Sequence, residues 1–399
     1  MEVDLSNPQQ ERAKASLFYD PKIRGYVYQA ALVAVVVFLI WSAASNAIEN
    51  LRAQKIASGF GFWHNAAGFD INQKLIPFSA SGGSTYGDAF IVGLLNTLLV
   101  AGLGIVLATF LGFFVGVARL SNNWVISKLA MIYVEVIRNI PLLLQLFFWY
   151  NAVLKPLPNP RDSIKLPTGA LLNNRGLYVP DPQLGPGGSL IVWTFLIGIV
   201  ASIIFRAWAR KQQEATGKQY PIGLVALGLI IVLPLLVYFA TGRPVSFIYP
   251  ELAGFNLRGG IQIFPEFVAL LVGLTTYTAG FIAEVVRAGI LAVSRGQSEA
   301  AHALGLRSGP TLKLVIIPQA MRVIIPPLTS NYLNLTKNSS LAVAIGYPDL
   351  VQVFTGTVLN QTGQAVEVVA ITMAVYLTIS LVTSLFMNIY NKRMALVER

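Results

Sequence analysis

The sequence predicts an all-α integral membrane protein of about eight transmembrane helices, and three observations carry that prediction. The 399 residues are 55% hydrophobic and only 12% charged, about half the charge content of an ordinary soluble domain. Charge-free runs long enough to cross a bilayer recur along the chain, the first at residues 26–48. Short basic connectors separate them, the pattern expected when Lys and Arg stay on the cytoplasmic side.

Composition also narrows function. A net charge of +11 would suit nucleic acid, but the basic residues are scattered between apolar spans and form no patch, so the lipid bilayer is the partner and nucleic acid is not. The absence of cysteine excludes disulfides, thiolate metal sites and cysteine nucleophiles. Only His64 and His302 offer imidazole, and they lie far apart, so no metal site is expected.

Residues 1–25 are polar and carry Arg12, Lys14, Lys22 and Arg24 beside the first span, which marks that end as cytoplasmic. The span at 26–48 is too long for a signal-peptide core and reads as an uncleaved helix. Residues 50–85 are rich in Gly, Ser and aromatics and read as a connector resting on the outer interface. A second span follows at 89–118, with Gly93, Gly102, Gly104, Gly112 and Gly116 offering close helix contacts. Next, Glu135 and Arg138 precede an apolar run at 140–154, so this span starts inside and exits outward. Pro141 shapes its start or a kink. Gln145 either glues helices together or faces a cavity.

Residues 155–189 are Pro- and Gly-rich without periodicity and read as a polar outer loop. A span at 190–205 leads to the basic connector Arg206, Arg210, Lys211 and Lys218, then to another span at 222–240; the two form a hairpin. Residues 265–291 form a further span, with Thr275, Thr276 and Thr278 as its polar centre and Glu284 and Arg287 paired one turn apart near its inner end. Helix threonines also satisfy themselves on the i−4 carbonyl, so both a cavity role and a purely local one stay open.

The stretch at 295–320 cannot sit in lipid, since Arg295, Glu299, His302, Arg307 and Lys313 would each cost a few kcal/mol at membrane depth. Ser294 with Gln297 fits a capping pattern, Gly305 ends a first helix, and Ser308 with Pro310 opens a second. Ala300, Ala303 and Leu304 share one face of the first helix, suited to entering a groove. Pro318 closes the unit before the next span.

That span, at 322–349, holds Asn331, Asn334, Thr336, Lys337, Asn338, Ser339 and Ser340 between apolar flanks, too polar to face lipid. Pro326 and Pro327 kink or delay it. Residues 349–365 read as an outer loop with a short helix, and 366–390 as the last span, with Lys392, Arg393 and Arg399 keeping the C-terminus inside. An even number of spans puts both termini on one side, and the stretch at 295–320 falls in the cytoplasm by that count alone.

In that cytoplasmic stretch, Glu299-Ala300-Ala301, Gly305, Val315, Ile317 and Pro318 resemble the coupling loop of ABC importer permeases, whose pattern is E-A-A, three residues, Gly, nine residues, then aliphatic-x-aliphatic-Pro. Arg138-Asn139-Ile140-Pro141-Leu142-Leu143 and the run at 274–290 resemble the polar amino acid (histidine/glutamine-type) subgroup. The first helix, long outer loops and inserted hairpin are similar to the larger permease of the bacterial general L-amino acid uptake system.

The resemblance covers about 88–154 and 265–392. It implies a five-helix type I importer core with an extra N-terminal helix and an inserted helical hairpin. The corresponding organisation is a tail, first helix and periplasmic loop at 1–87, the first part of the core at 88–154, periplasmic loops and hairpin at 155–264, and the rest of the core at 265–399. It also implies a multi-pass protein of the bacterial inner membrane. Its partners would be a cytoplasmic ABC ATPase in two copies, a second homologous permease and a periplasmic amino acid-binding protein.

The chain has no G-x-x-x-x-G-K-[ST], so it lacks a phosphate cradle and the ATP and Mg belong to the partner ATPase; no cofactor is expected in this chain. It is not itself an enzyme, having no nucleophile, metal or acid-base constellation. An ion-coupled transporter or channel working alone would show an internal repeat and mid-membrane carboxylates, and neither is legible.

ATPase coupling falls on Arg295, Gln297, Glu299, Ala300, Ala301, Leu304, Gly305, Leu306 and Pro318. The substrate path falls on Gln145, Thr275, Thr276, Thr278, Asn331, Asn334, Lys337, Asn338 and Ser339. A zwitterion needs a cation for its carboxylate and neutral oxygens or an acid for its ammonium. Lys337 would supply the first and Asn334, Asn338 and Thr276 the second, unless Lys337 only bonds carbonyls of its own helix.

Overall fold

The computed structural model describes residues 21–53 and 58–394; the basic tail with Arg12 and Lys14 and the end at Arg399 lie outside them. Among the described residues, seven helices are long and apolar enough to cross a membrane, and one bent pair brings the number to eight.

The first helix, α1 (Pro21–Ala53), leaves none of its apolar window buried. The following segment is not the connector its composition suggests. Phe62, Ala67, Ile71 and Phe78 are buried in one cluster with Val92, Leu350 and Phe354, and the Trp63 ring sits 5.1 Å from Phe90 and 5.9 Å from Phe354. These apolar side chains find a protein surface at one end of the core, on α2 and residues 350–358.

Helix α2 (Tyr86–Ala118) opens on a capping box in which Thr85 Oγ1 accepts from Asp88 N at 3.2 Å and Asp88 Oδ2 accepts from Thr85 N at 2.8 Å. Its glycines work as expected at four places of five. A Cβ on Gly112 would come within 2.6 Å of Ile282, and one on Gly116 within 2.7 Å of the Ala283 carbonyl oxygen. Gly93 lies against Leu350 and Gly104 against Leu335, but Gly102 has open space.

After α3 (Trp124–Asn139), capped by Asn123 Oδ1 on Val125 N and Ile126 N, the chain turns through 107° into α4 (Leu142–Phe147) and the π-helical Phe148–Leu154. Pro141 stands at that bend. The loss of α geometry at the residue before proline and the missing amide both favour a break there.

The stretch from 155 to 264 is not wholly irregular or helical. Strands β1 (Ile164–Lys165), β2 (Leu171–Asn173) and β3 (Gly176–Val179) form antiparallel pairs. Strand β4 (Asp181–Leu184) leads to α5 (Gly188–Thr216), which turns back through α6 (Ile222–Leu227), the π-helical Gly228–Val232 and α7 (Leu233–Ala240). Then β5 (Val245–Ile248) pairs with β4, β6 (Glu251–Ala253) pairs with β7 (Asn256–Arg258), and β8 (Ile261–Ile263) returns to β3. Strands of two to four residues are too short for a period to stand out, and the β3–β8 pairing joins segments far apart in sequence, so local pattern could not show them. At the base, Gly176 has φ 122° and any side chain there would strike the Ile263 carbonyl oxygen.

The core resumes with α8 (Pro265–Leu291), then α9 (Arg295–Ala303) and α10 (Ser308–Thr311). From Ser308 the helix is continuous to Ile345, through the π-helical Leu312–Ile316 and α11 (Ile317–Asn338). Pro318 therefore separates nothing: it lies in the first turn of α11. Nor do Pro326 and Pro327 delay the span, since α11 runs through both.

Residues 349–365, expected outside, are part of the core. Tyr347, Asp349, Leu350 and Phe354 are fully buried, and the helical turn Val351–Val358 continues into α12 (Leu359–Thr362) before α13 (Ala365–Met394). A polar lattice holds this segment to α2. Asn96 Nδ2 donates to Gln73 O (2.8 Å) and Pro348 O (2.9 Å), Tyr347 Oη donates to Asn96 O (3.1 Å), and Thr97 Oγ1 accepts from Leu350 N (3.0 Å). Buried polar groups require such partners, which is why these neutral side chains sit where lipid cannot reach.

Candidate substrate path and coupling loop

The loop after α8 is built as an exposed knuckle. Ser294 occupies the N-cap of α9, but the first bond runs from Gln297 N to the Ser294 carbonyl (3.1 Å) and its hydroxyl makes no cap. Arg307, rather than Ser308, is the N-cap of α10. Gly305 ends α9 with φ 80°, while Gly305 N donates to His302 O (2.9 Å) and Leu306 N to Ala301 O (3.1 Å). That left-handed stop is the geometry glycine adopts without a Cβ penalty.

On this knuckle Arg295, Glu299, Ala300, Ala303 and Leu304 are exposed, Leu304 at 84%. Ala301 is buried, Leu306 half-buried and Pro318 exposed. Gln319 Nε2 donates to Gln297 Oε1 (3.1 Å), tying α9 to α11. Because α10 and α11 are one helix, displacement of the knuckle bears directly on α11.

Near the C-terminal end of α8, Glu284 gathers three guanidinium groups. Arg119 bonds Oε2, Arg287 bonds Oε1 through Nη2 (2.5 Å) and Nε (3.2 Å), and Arg138 stands at 4.0 Å. The expected Glu284–Arg287 pair is thus part of a larger cluster that ties α2 and α3 to α8. Arg138 also lies 5.2 Å over the Phe281 ring.

Beside the cluster, an open-sided cavity of about 250 Å³ lies between α8 and α11, lined by Tyr277, Thr278, Phe281, Asn331, Asn334 and Asn338. Four residues of the expected path are brought together here: Thr278, Asn331, Asn334 and Asn338. The asparagines recur at i, i+3 and i+7, so they share one face of α11. Asn331 Nδ2 bonds Pro327 O (3.1 Å).

The other expected residues do not line this cavity. Gln145 is buried at the α3–α4 bend, where Nε2 donates to Ile137 O and Ile140 O, both at 2.9 Å; it satisfies carbonyls that the end of α3 leaves unpaired. Thr276 Oγ1 bonds Val272 O (2.8 Å) within its own helix. Thr275 is buried with its hydroxyl unpartnered. Ser339 is fully buried and bonds Thr336 O (2.7 Å). Lys337 is exposed.

Tyr277 and Phe281, absent from the expected path, supply its aromatic wall with ring centroids 5.0 Å apart. Their i, i+4 spacing around Thr278 was the available signal, but aromatics in an apolar helix read as packing.

A second hollow of about 180 Å³ opens toward the 58–85 segment. It is lined by Asp70, Gln73, Glu266 and Gln352 among others, and Tyr150 Oη donates to Glu266 Oε1 (2.8 Å). Outside the spanning helices, Asp349 is the one buried carboxylate among the described residues. Burial pushes its carboxyl up to about 7, against bonds from Gln352 N (2.8 Å) and Tyr376 Oη (3.2 Å) that favour the ionised form.

Comparison with known proteins shows the family. The family model described as binding-protein-dependent transport system inner membrane component matches residues 220–396. The general L-amino acid transport system permease protein AapQ of Rhizobium johnstonii is 54% identical, over 96% of this chain and 95% of that protein. The chain belongs to this permease family. A putative amino-acid ABC transporter permease protein of Escherichia coli, YhdX, is 53% identical over 97% of this chain and 98% of its own. The glutamate/glutamine/aspartate/asparagine transport system permease protein BztB of Rhodobacter capsulatus is 43% identical over 96% of each. The aligned regions take in the segment that holds the hairpin, so these relatives share that segment. A solved amino acid ABC transporter with histidines is 22% identical, covers 77% of this chain and 95% of its own, and has a TM-score of 0.46.

Proposed function

We propose that this chain is the membrane permease of an ATP-driven importer of L-amino acids, working by alternating access. The observation that carries the reading is the exposed knuckle α9–α10, whose second helix is continuous with the cavity-lining α11. Two copies of a cytoplasmic ABC ATPase bind ATP and Mg and receive Glu299, Ala300, Ala303 and Leu304 in a groove; their closure tilts α11 against α8. A second homologous permease completes the membrane pore, and a periplasmic binding protein delivers the substrate. Both termini face the cytoplasm of a bacterium, and the chain lies in its inner membrane. Residues 88–154 and 265–399 make the transport core, with 155–264 inserted between them.

The cavity between Tyr277, Phe281 and the Asn331–Asn334–Asn338 face is the substrate path. Its lining has amides, a threonine hydroxyl and aromatic surface but no fixed charge, so amide N–H groups, and not the expected Lys337 cation, meet the substrate carboxylate, and the path discriminates weakly between side chains. The name of AapQ, a general L-amino acid system, supports that breadth.

Purification from the native membrane should bring a P-loop ATPase with the chain, and reconstituted uptake of labelled amino acids should require ATP. Glu299→Lys and Gly305→Val should uncouple the two. The second adds about 1–2 kcal/mol of left-handed strain at φ 80°. Uptake driven by an ion gradient without ATP, or normal ATPase stimulation in both variants, would refute the reading.

A further inference from the structure

The inserted hairpin ends in a feature that lies apart from the coupling knuckle and the α8–α11 cavity. Its α5 is 29 residues long, about 43 Å at 1.5 Å per residue, whereas a bilayer core is about 30 Å thick. The helix therefore projects beyond the hydrocarbon, and the projecting part carries Arg206, Arg210 and Lys211, with Lys218 just past the left-handed Gly217 cap. All four cations are exposed, and none makes a salt bridge among the described residues. Glu214 is the single acid in this stretch.

Beside the cations sits a closed aromatic cluster. Trp208 lies 5.0 Å from Tyr220 and 5.6 Å from Phe205, Phe205 lies 6.5 Å from Tyr220, and Lys218 Nζ stands 5.6 Å over the Tyr220 ring. Trp and Tyr favour the boundary between acyl chains and headgroups, so the cluster marks the depth at which the four cations begin. Toward the membrane the shafts stay bare. Only 17% of the apolar window of α5 and 6% of that of Ile222–Ala240 are buried, against 56% for α8.

We infer that the basic, aromatic end of this hairpin is a binding site for anionic phospholipid headgroups. The shafts take the acyl chains, the aromatic cluster sets the depth, and Arg206, Arg210, Lys211 and Lys218 hold the phosphate. Guanidinium groups give it forked hydrogen bonds, and the lysines add charge. The inference does not depend on the substrate or on the coupling loop.

The test is contact quenching of Trp208 in the full chain, purified with its native partners and reconstituted in phosphatidylcholine vesicles. A minority of the lipid is brominated phosphatidylglycerol or, in parallel, brominated phosphatidylcholine; subtracting Trp208→Phe isolates the signal from the other tryptophans. Phosphatidylglycerol should quench at least about five-fold more per mole, the worth of a single cation at an anionic surface. Replacing all four cations with Gln should bring the two lipids to parity. High salt should do the same in the unaltered chain, because exposed charges are screened, which keeps the test valid should the variant fold poorly.

Equal quenching by both lipids in the unaltered chain would overturn the inference, as would a preference that survives salt and the four substitutions. Quenching by neither lipid would also overturn it and would mean that another protein chain covers this end.

Discussion

The core and the inserted hairpin invert the usual relation between hydropathy and burial. Helix α8 has a mean hydropathy of 1.6 and 56% of its apolar window buried, whereas Ile222–Ala240 has 2.8 and 6%. In water the more apolar helix would be the inner one. In a bilayer, lipid solvates apolar surface as well as leucine does, so nothing drives it inward; polar groups and close backbone contacts are what need protein around them. The core accordingly holds Asn96, Thr97, Thr278, Thr336 and Asp349 buried, with Gly112 and Gly116 of α2 pressed on α8. The hairpin buries little besides small residues at its own seam, such as Gly198 and Ser202.

The sharpest way to break this comparison is to insert the same bulk into both seams. Gly116→Leu would drive a side chain into the Ala283 carbonyl and Val286, and overpacking of this kind costs about 1–3 kcal/mol or more. Uptake and detergent stability should be lost together. Gly198→Leu collides as directly with the Leu229 carbonyl, but only within the hairpin. Uptake in membranes should persist at half or more of the normal rate by order of magnitude, and a measured collapse would place the hairpin in the transport machinery.

A smaller effect separates the two polar faces of α11. Asn334→Leu removes an amide from the cavity and should weaken uptake of several labelled amino acids about ten-fold, the worth of one to two hydrogen bonds. Lys337→Met, outside the cavity, should change affinity by less than about two-fold. If the order were reversed, the carboxylate of the substrate would meet Lys337 and the path would run along the other side of the helix.

A pH-dependent effect concerns Asp349. Its carboxyl is raised by burial from 3.8 to about 7, so the folded protein binds a proton more tightly than the unfolded chain. Its contribution to stability is present at low pH, falls as pH rises from about 4 to 7, and is constant above. Asp349→Asn retains a helix-capping oxygen, and its thermal stability relative to the unaltered chain should rise over that interval and then level off. A difference independent of pH would show that folding does not raise the Asp349 carboxyl.

The sequence by itself determined the number of spans, the exposed knuckle at 295–311 and the family, because each rests on a local signal: charge-free length, a glycine stop, and the spaced E-A-A pattern ending in Pro. It also placed three asparagines on one face of α11. Only the tertiary structure decided which polar residues meet. Gln145 and Lys337 are as conspicuous in the sequence as Asn334, yet the bend at Pro141 turns Gln145 to the carbonyls of α3, and the cavity forms without Lys337. Likewise, residues 50–85 and 349–365 read as outer loops because the described aromatics and amides in and beside them find partners only across the fold, in Asn96, Thr97 and Phe90 of α2. A side chain's polarity is written in one residue, but whether it is satisfied at home, shared between helices or left facing a cavity depends on the approach of segments far apart in the chain, and packing alone sets that approach.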